Sequence, residues 1–239
     1  MKAKLIIILA ASMLLLAGCT GRCPSIKEIS LAGDKTEKFI AKPQSEEIRP
    51  LFGLDKDEWN GVIFRYTDVS DVSLNHVYEA RIEPENQLLS NELFRKQKVN
   101  DFNSKVDSII NNSDKEKTGK EYSSVYIPIA NELNHLSQSK SETRTFVCYS
   151  NLMENNRLSF YKSQTLNAVK SNPDSISKYF ESLVPLKRLD GIKVYLIYQP
   201  TGNQEDEQFK IVSDFYKNML ESKGAKVEIA ANLINDKAE

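Results

Sequence analysis

Apolar positions change their rhythm along this chain. Val62-Ile63-Phe64-Arg65-Tyr66-Thr67 is rich in β-branched and aromatic residues and ends at Asp68, which predicts a strand. From Val77 to Ile82 the pattern alternates, with Tyr78, Ala80 and Ile82 on one side and Val77, Glu79 and Arg81 on the other. That is the pattern of a half-exposed edge strand pairing with the first as a hairpin. Val99, Phe102, Val106, Ile109 and Ile110 recur at helical spacing. Ser90 is placed to cap this helix, with Glu92 in its first turn, and Asn111-Asn112-Ser113 to end it. A second helix is predicted from Ser124, with Ala130, Leu133 and Leu136 inward and Pro128 tolerated in the first turn.

The second half alternates between strand and helix. Phe146-Val147-Cys148-Tyr149 and Ile192 to Tyr198 are nearly all apolar, as strands covered on both faces are. Between them Asn172-Pro173 opens a helix lined by Ile176, Tyr179, Phe180 and Leu183. Phe209, Val212, Tyr216 and Met219 mark a last long helix, Gly224 sits at its C′ position, and Lys226 to Ala230 forms a final strand. Strand–helix alternation implies right-handed crossovers and a parallel sheet. The expected fold class is α/β: a three-layer sandwich, mostly parallel, with an antiparallel edge strand and helices on both faces.

The start of the chain reads differently. Lys2 and Lys4 precede an apolar run from Leu5 to Leu16, too short for the roughly 20 residues a bilayer span needs. A charged start and a short apolar core form a signal peptide. It ends in Leu16-Ala17-Gly18-Cys19, which resembles the lipobox of bacterial lipoproteins. The resemblance implies cleavage after Gly18, lipid on Cys19 and a membrane partner reached through that lipid. Thr20, where an Asp favours inner-membrane retention in that family, implies the outer membrane, facing the periplasm. Residues 1–18 are thus expected to be a signal peptide, 19–58 a lipidated tether broken by Gly and Pro, and 59–239 the globular domain.

Removing residues 1–18 takes away two lysines and no acid, so the formal charge moves from −1 to −3. A nucleic-acid partner is excluded on that balance. Cys23 and Cys148 are either a disulfide pair in an oxidising compartment or a separate cysteine and a buried one. His76 and His135 with no cysteine pair give no zinc spacing.

Ligands of open α/β sheets sit beyond the carboxyl ends of the strands. Three loops fall there. They carry Asp68, Ser70, Asp71 and Ser73; Ser150, Asn151 and Glu154; and Thr201 and Asn203. The Asp-x-Ser loop, the hairpin-like second strand and the alternation from Phe146 to Ala230 together resemble a von Willebrand factor A-like domain. That resemblance implies Mg²⁺ or Mn²⁺ held by Asp-x-Ser-x-Ser, a distant Thr and an acid after the fourth strand, and hard oxygen ligands suit such ions. Here two registers compete, Asp68-Val69-Ser70 and Asp71-Val72-Ser73. Asn151 stands at the acid's place, and Ser123 or Ser124 at the threonine's. The implied metal site is therefore degenerate.

No Gly-x-Ser-x-Gly, His-Glu-x-x-His, Walker or Gly-x-Gly-x-x-Gly motif is present. The sequence predicts a non-catalytic, membrane-anchored binding domain with an envelope protein partner. Two alternatives stay open: an envelope hydrolase using strand-end carboxylates, and a purely structural envelope lipoprotein.

Overall fold

The computed structural model describes residues 24–36, 42–70, 75–113 and 122–233. Its strands are β1 (Ile26–Asp34), β2 (Gly61–Val69), β3 (Val77–Ile82), β4 (Thr143–Tyr149), β5 (Ile192–Ile197) and β6 (Lys226–Ala230). The helices are α1 (Ser45–Phe52), α2 (Glu92–Ser113), α3 (Tyr126–Gln138), α4 (Ser163–Ser171), α5 (Pro173–Leu183) and α6 (Asn203–Ser222). One sheet runs β3-β2-β1-β4-β5-β6, parallel throughout except for the antiparallel edge strand β3. The fold is the three-layer α/β sandwich the alternation predicts.

Side chains leave the strands on alternate faces. Phe146 and Cys148 of β4 and Val194 and Leu196 of β5 join one core with α3, α4, α5 and α6. Val147, Tyr149, Tyr195 and Ile197 point the other way, into a core with Ile48 and Phe52 of α1 and Phe102, Val106 and Ile110 of α2. The period of two along a strand forces this division, and each face needs its own helix layer.

The tether expected over 19–58 is corrected: residues 26–34 form the central strand and 45–52 a packed helix. The domain therefore begins some thirty residues before Trp59. Hydropathy hides β1 because two of its buried residues are polar. Glu28 is 3% exposed and meets His135 Nε2 at 2.9 Å; Ser30 is fully buried and donates to Glu132 Oε2 at 2.7 Å. Both partners lie on α3, so the strand docks through satisfied polar pairs as well as apolar contacts. A buried ion pair completes the junction, since Arg65 of β2 bonds both oxygens of Glu132 at 3.0 and 3.1 Å. Burial pushes the Glu132 carboxyl up, but Arg65 and Ser30 together hold it below its ordinary range.

The helix expected to be capped by Ser90 is instead capped by Asn91. Its Oδ1 accepts the N–H groups of Leu93 and Phe94 at 2.9 and 3.2 Å. At the other end of the chain Gly224 has φ +101°, beside the Asp190 side chain. Only glycine holds that left-handed C′ position at no steric cost. Cys148 is fully buried in β4 as a free thiol, and burial pushes its pKa up. Cys19 and Cys23 lie outside the described residues.

Candidate functional site

Successive strands step outward from β1 in one direction through β2 and β3, and from β4 in the other through β5 and β6. The order in which the chain adds strands reverses between the parallel neighbours β1 and β4. The crevice beyond their carboxyl ends is where such sheets place a ligand.

Asp34 ends β1 and Ser150 follows β4, side by side. Ser150 Oγ donates to Asp34 Oδ2 at 2.6 Å and accepts the Leu152 N–H at 2.9 Å. Thr36 closes an Asx turn, donating its N–H and Oγ1 to Asp34 Oδ1 at 2.9 and 2.7 Å. Asn151 makes a second Asx turn by accepting the Met153 N–H at 2.9 Å, and its amide reaches Tyr161 Oη at 3.3 Å. The loop needs these bonds, because Leu152 sits at φ +60°, a left-handed conformation costing an ordinary residue roughly 1–3 kcal/mol. Leu152 is also fully buried in the α3-side core. Leu152→Gly would relieve the backbone but lose the 2–5 kcal/mol scale of a buried leucine, so packing decides the residue here.

Glu154 lies deeper, at 4% exposure. Its Oε1 accepts the N–H groups of Val125 and Tyr126 at 2.9 and 2.5 Å, where α3 begins and backbone donors lack helical partners. Burial raises its pKa to about 7; the two N–H groups oppose the rise and the Asp34 charge adds to it. Ser123 is pinned to Asn155 by paired backbone bonds of 3.1 and 2.9 Å. Its buried hydroxyl has no hydrogen-bond partner among the described residues.

Two further groups flank the crevice. Lys35 Nζ lies 2.7 Å from Asp68 Oδ1, with both side chains almost out of solvent. Across β5, Glu205 Oε2 accepts the Thr201 N–H and Oγ1, each at 2.8 Å, and Tyr198 Oη at 3.2 Å. Thr201 holds that carboxyl below its usual range. Beside it a cleft of about 460 Å³ opens among Asn151, Met153, Tyr161, Tyr198, Glu205 and Phe209. Thr201 and Asn203 are exposed and flank its lining residue Gly202.

The structure thus gathers Ser150, Asn151 and Glu154 at one crevice, as the strand-end rule implies, and sets Thr201 and Asn203 on the neighbouring rim. Asp68 belongs to β2, and so cannot follow the first strand: the Asp-x-hydroxyl turn after the first strand is Asp34-Lys35-Thr36. Both registers proposed from the sequence rest on missing β1. Ser70 is buried beyond β2, and Asp71 and Ser73 lie outside the described residues. The signal for Asp34 was present in Ile29-Ser30-Leu31-Ala32-Gly33-Asp34, a small and apolar run closed by a turn pair.

A divalent cation fits the described donors poorly. Asp34 already accepts three hydrogen bonds, Asn151 is neutral and committed to its turn, and Asp68 has an ammonium as its counter-charge. Hard cations favour several uncommitted oxygen ligands. Among the described residues no three His, Cys, Asp or Glu side chains group as metal ligands.

Ser150→Ala is expected to cost about 1–3 kcal/mol, because it strips a donor from Asp34 and an acceptor from the strained Leu152 peptide together. Urea denaturation measures it; a loss within experimental error would mean that water replaces the hydroxyl.

No family model matches the chain, and no curated protein matches its sequence. Among solved structures it is similar to a D319A mutant of the PilB minor pilin from Streptococcus sanguinis, at 12% identity and a TM-score of 0.45. The match covers 90% of this chain and 59% of that pilin. No described helix is long and apolar enough to cross a membrane.

Proposed function

We propose that the chain is a lipid-anchored envelope protein whose α/β domain binds a protein partner through the strand-end face, without catalysis and without a metal. The observation carrying this reading is that the face's carboxylates are engaged. Asp34 is held by Ser150 and Thr36, Asp68 by Lys35, Glu205 by Thr201 and Tyr198, and Glu154 by two backbone N–H groups. A general base must have an oxygen free to reach the proton it removes, and these carboxylates are committed to hydrogen bonds and ion pairs within the domain. The bonds stiffen the loops instead, and a rigid, loop-built face favours recognition because little ordering is lost on docking. The lipobox at Leu16-Ala17-Gly18-Cys19 supports the anchor. The strand-end Asp-x-Thr turn and the outward stepping of strands from β1 and β4 support the von Willebrand factor A-like reading of the domain.

A photo-crosslinking residue at Tyr161 or Asn203, introduced into the protein in intact cells, tests the proposal. One discrete protein adduct is expected from these two positions and none from Lys105 on the outer face of α2. Chelating divalent cations is expected to leave the yield unchanged. Hydrolysis of ester or peptide substrates by the purified protein, lost in Asp34→Asn or Glu154→Gln, would replace the binding reading with the enzyme one.

A further inference from the structure

The end of the sheet opposite the crevice carries an unusual apolar surface. Leu88, Leu89, Leu93 and Phe94 are 85%, 86%, 76% and 63% exposed. Single exposed hydrophobic residues are ordinary on a protein surface, but four large ones within seven positions form a patch that marks an interaction surface. The patch is also held in place. Leu88 N–H bonds Asn86 Oδ1 at 2.9 Å, Leu89 N–H bonds Asn86 O at 3.0 Å, and Asn91 caps Leu93 and Phe94. Directly after Phe94, the fully buried Arg95 guanidinium clamps the carbonyls of Glu58, Asn60 and Glu83. The leucines are therefore displayed by a fixed corner.

That corner adjoins the place where the chain enters the domain. Strand β3 runs antiparallel, so its last residue Ile82 lies beside Val62, level with the start of β1. Asn60, whose carbonyl Arg95 holds, also accepts Ser25 N–H on Oδ1 at 2.8 Å, and Gly61 N–H bonds Ser25 O at 2.8 Å. Cys19 lies five residues before Pro24, a span of at most about 18 Å when fully extended. Lipid on Cys19 would therefore keep this edge of the sheet against the bilayer.

We infer that the Leu88–Phe94 corner is a membrane-seating surface, which inserts its four apolar side chains into the bilayer interface beside the lipidated Cys19. The inference rests on the anchor reading given under Proposed function. The occupant is lipid because the anchor fixes which edge meets the membrane. The local charges agree: the acids flanking the patch are neutralised, Glu85 by Lys98 at 2.7 Å and Glu92 by Lys96, so they do not repel anionic headgroups. Apolar side chains on fixed backbone bury about 5–10 Å deep in such interfaces. Seating also orients the protein. The nine residues of β1 span about 30 Å, so the strand-end crevice is held that far out, facing away from the bilayer.

The test uses the full chain made in a lipid-modifying bacterium and reconstituted into phosphatidylethanolamine–phosphatidylglycerol vesicles with brominated acyl chains. Leu89→Trp is compared with Tyr161→Trp at the opposite end, over the background of the buried Trp59. Several-fold stronger quenching of Leu89→Trp than of Tyr161→Trp is the expected result. Equal or absent quenching, with the lipid adduct on Cys19 confirmed by mass, overturns the inference and leaves the anchor standing. A mass without lipid overturns both. Disulfide-linked Leu89→Cys dimers in vesicles, with no quenching of Leu89→Trp, would assign the patch to a second copy and overturn the membrane reading.

Discussion

Arg95→Met is expected to cost the domain roughly 3–5 kcal/mol, a large share of the 5–15 kcal/mol by which folded domains are stable. Arg95 has no exposed side-chain surface, and its guanidinium donates to three carbonyls on separate segments: Glu58 and Asn60 before β2, and Glu83 after β3 at 2.8 Å. Glu85 adds a longer ion pair at 3.4 Å. Methionine keeps the apolar stem but donates nothing, so three carbonyls lose their partner inside the fold, each at about 1–3 kcal/mol before relaxation and water entry reduce the sum. Burial lowers the Arg95 pKa and Glu85 counters it, yet arginine stays charged, so the group cannot escape its cost by neutralising. Lysine would keep the charge without the planar fork, and Arg95→Lys is expected to recover only part of the loss. Urea denaturation followed by circular dichroism measures both variants. A loss below about 1 kcal/mol for Arg95→Met would show that solvent satisfies the carbonyls, and that Arg95 does not fix the Leu88–Phe94 corner.

The elements legible in the sequence are those whose buried faces are apolar. The strands β4, β5 and β6 and the helix α6 are legible close to their observed bounds because Phe146, Val147, Val194, Leu196, Phe209 and Val212 follow the period of the structure they adopt. The central strand escaped because its buried face on the α3 side includes Glu28 and Ser30, which hydropathy assigns to solvent. Their partners Glu132, His135 and Ser141 are 102 to 113 positions away along the chain, and no local window brings them together. The helices α1 and α4 escaped for another reason: each is short, and α4 buries only Val169. Missing one strand displaced the site by one strand. The rule that ligands lie at strand ends points to Ser150, Asn151 and Glu154, which the structure places beyond β4 beside Asp34, but Asp34 could not be found without β1, so its place passed to Asp68.

Buried polar contacts also explain why β1 takes the central position. An apolar strand could pair at several registers against β2 and β4. With Ser30 on Glu132 and Glu28 on His135, a slip of one residue would turn both polar groups into the opposite, apolar core. Unpartnered burial of such groups costs far more than a lost apolar contact. The register that satisfies them also brings Asp34 level with Ser150. The polar pairs inside the sheet thus position the crevice at its edge.

The domain is expected to lose about 3 kcal/mol of stability as pH rises from about 5 to 8, and Glu154→Gln is expected to abolish that loss. In the folded state burial raises the Glu154 carboxyl to about 7 from an ordinary 4.5, against the pull of two N–H groups and with the help of the Asp34 charge. The folded protein therefore binds this proton more tightly than the unfolded chain does. Its contribution is fully present below the unfolded value near 4.5 and disappears as pH rises through the folded value near 7. Carboxylates held below their ordinary range, such as Glu132 and Glu205, act with the opposite sign and at lower pH, and the difference between the parent and Glu154→Gln across pH 5 to 8 isolates Glu154. Glutamine keeps an oxygen for the N–H groups of Val125 and Tyr126 but cannot ionise. Glu154→Gln should therefore equal or exceed the parent at pH 8 and show a flat profile down to pH 5, while Glu154→Ala, which leaves both N–H groups unbonded, should be less stable at every pH. Urea denaturation of the three proteins across this range decides it. A flat parent profile, or a glutamine variant weaker than the parent at pH 8, would mean that the α3 N-terminus keeps Glu154 ionised, and that the field of the backbone outweighs burial at the base of the crevice.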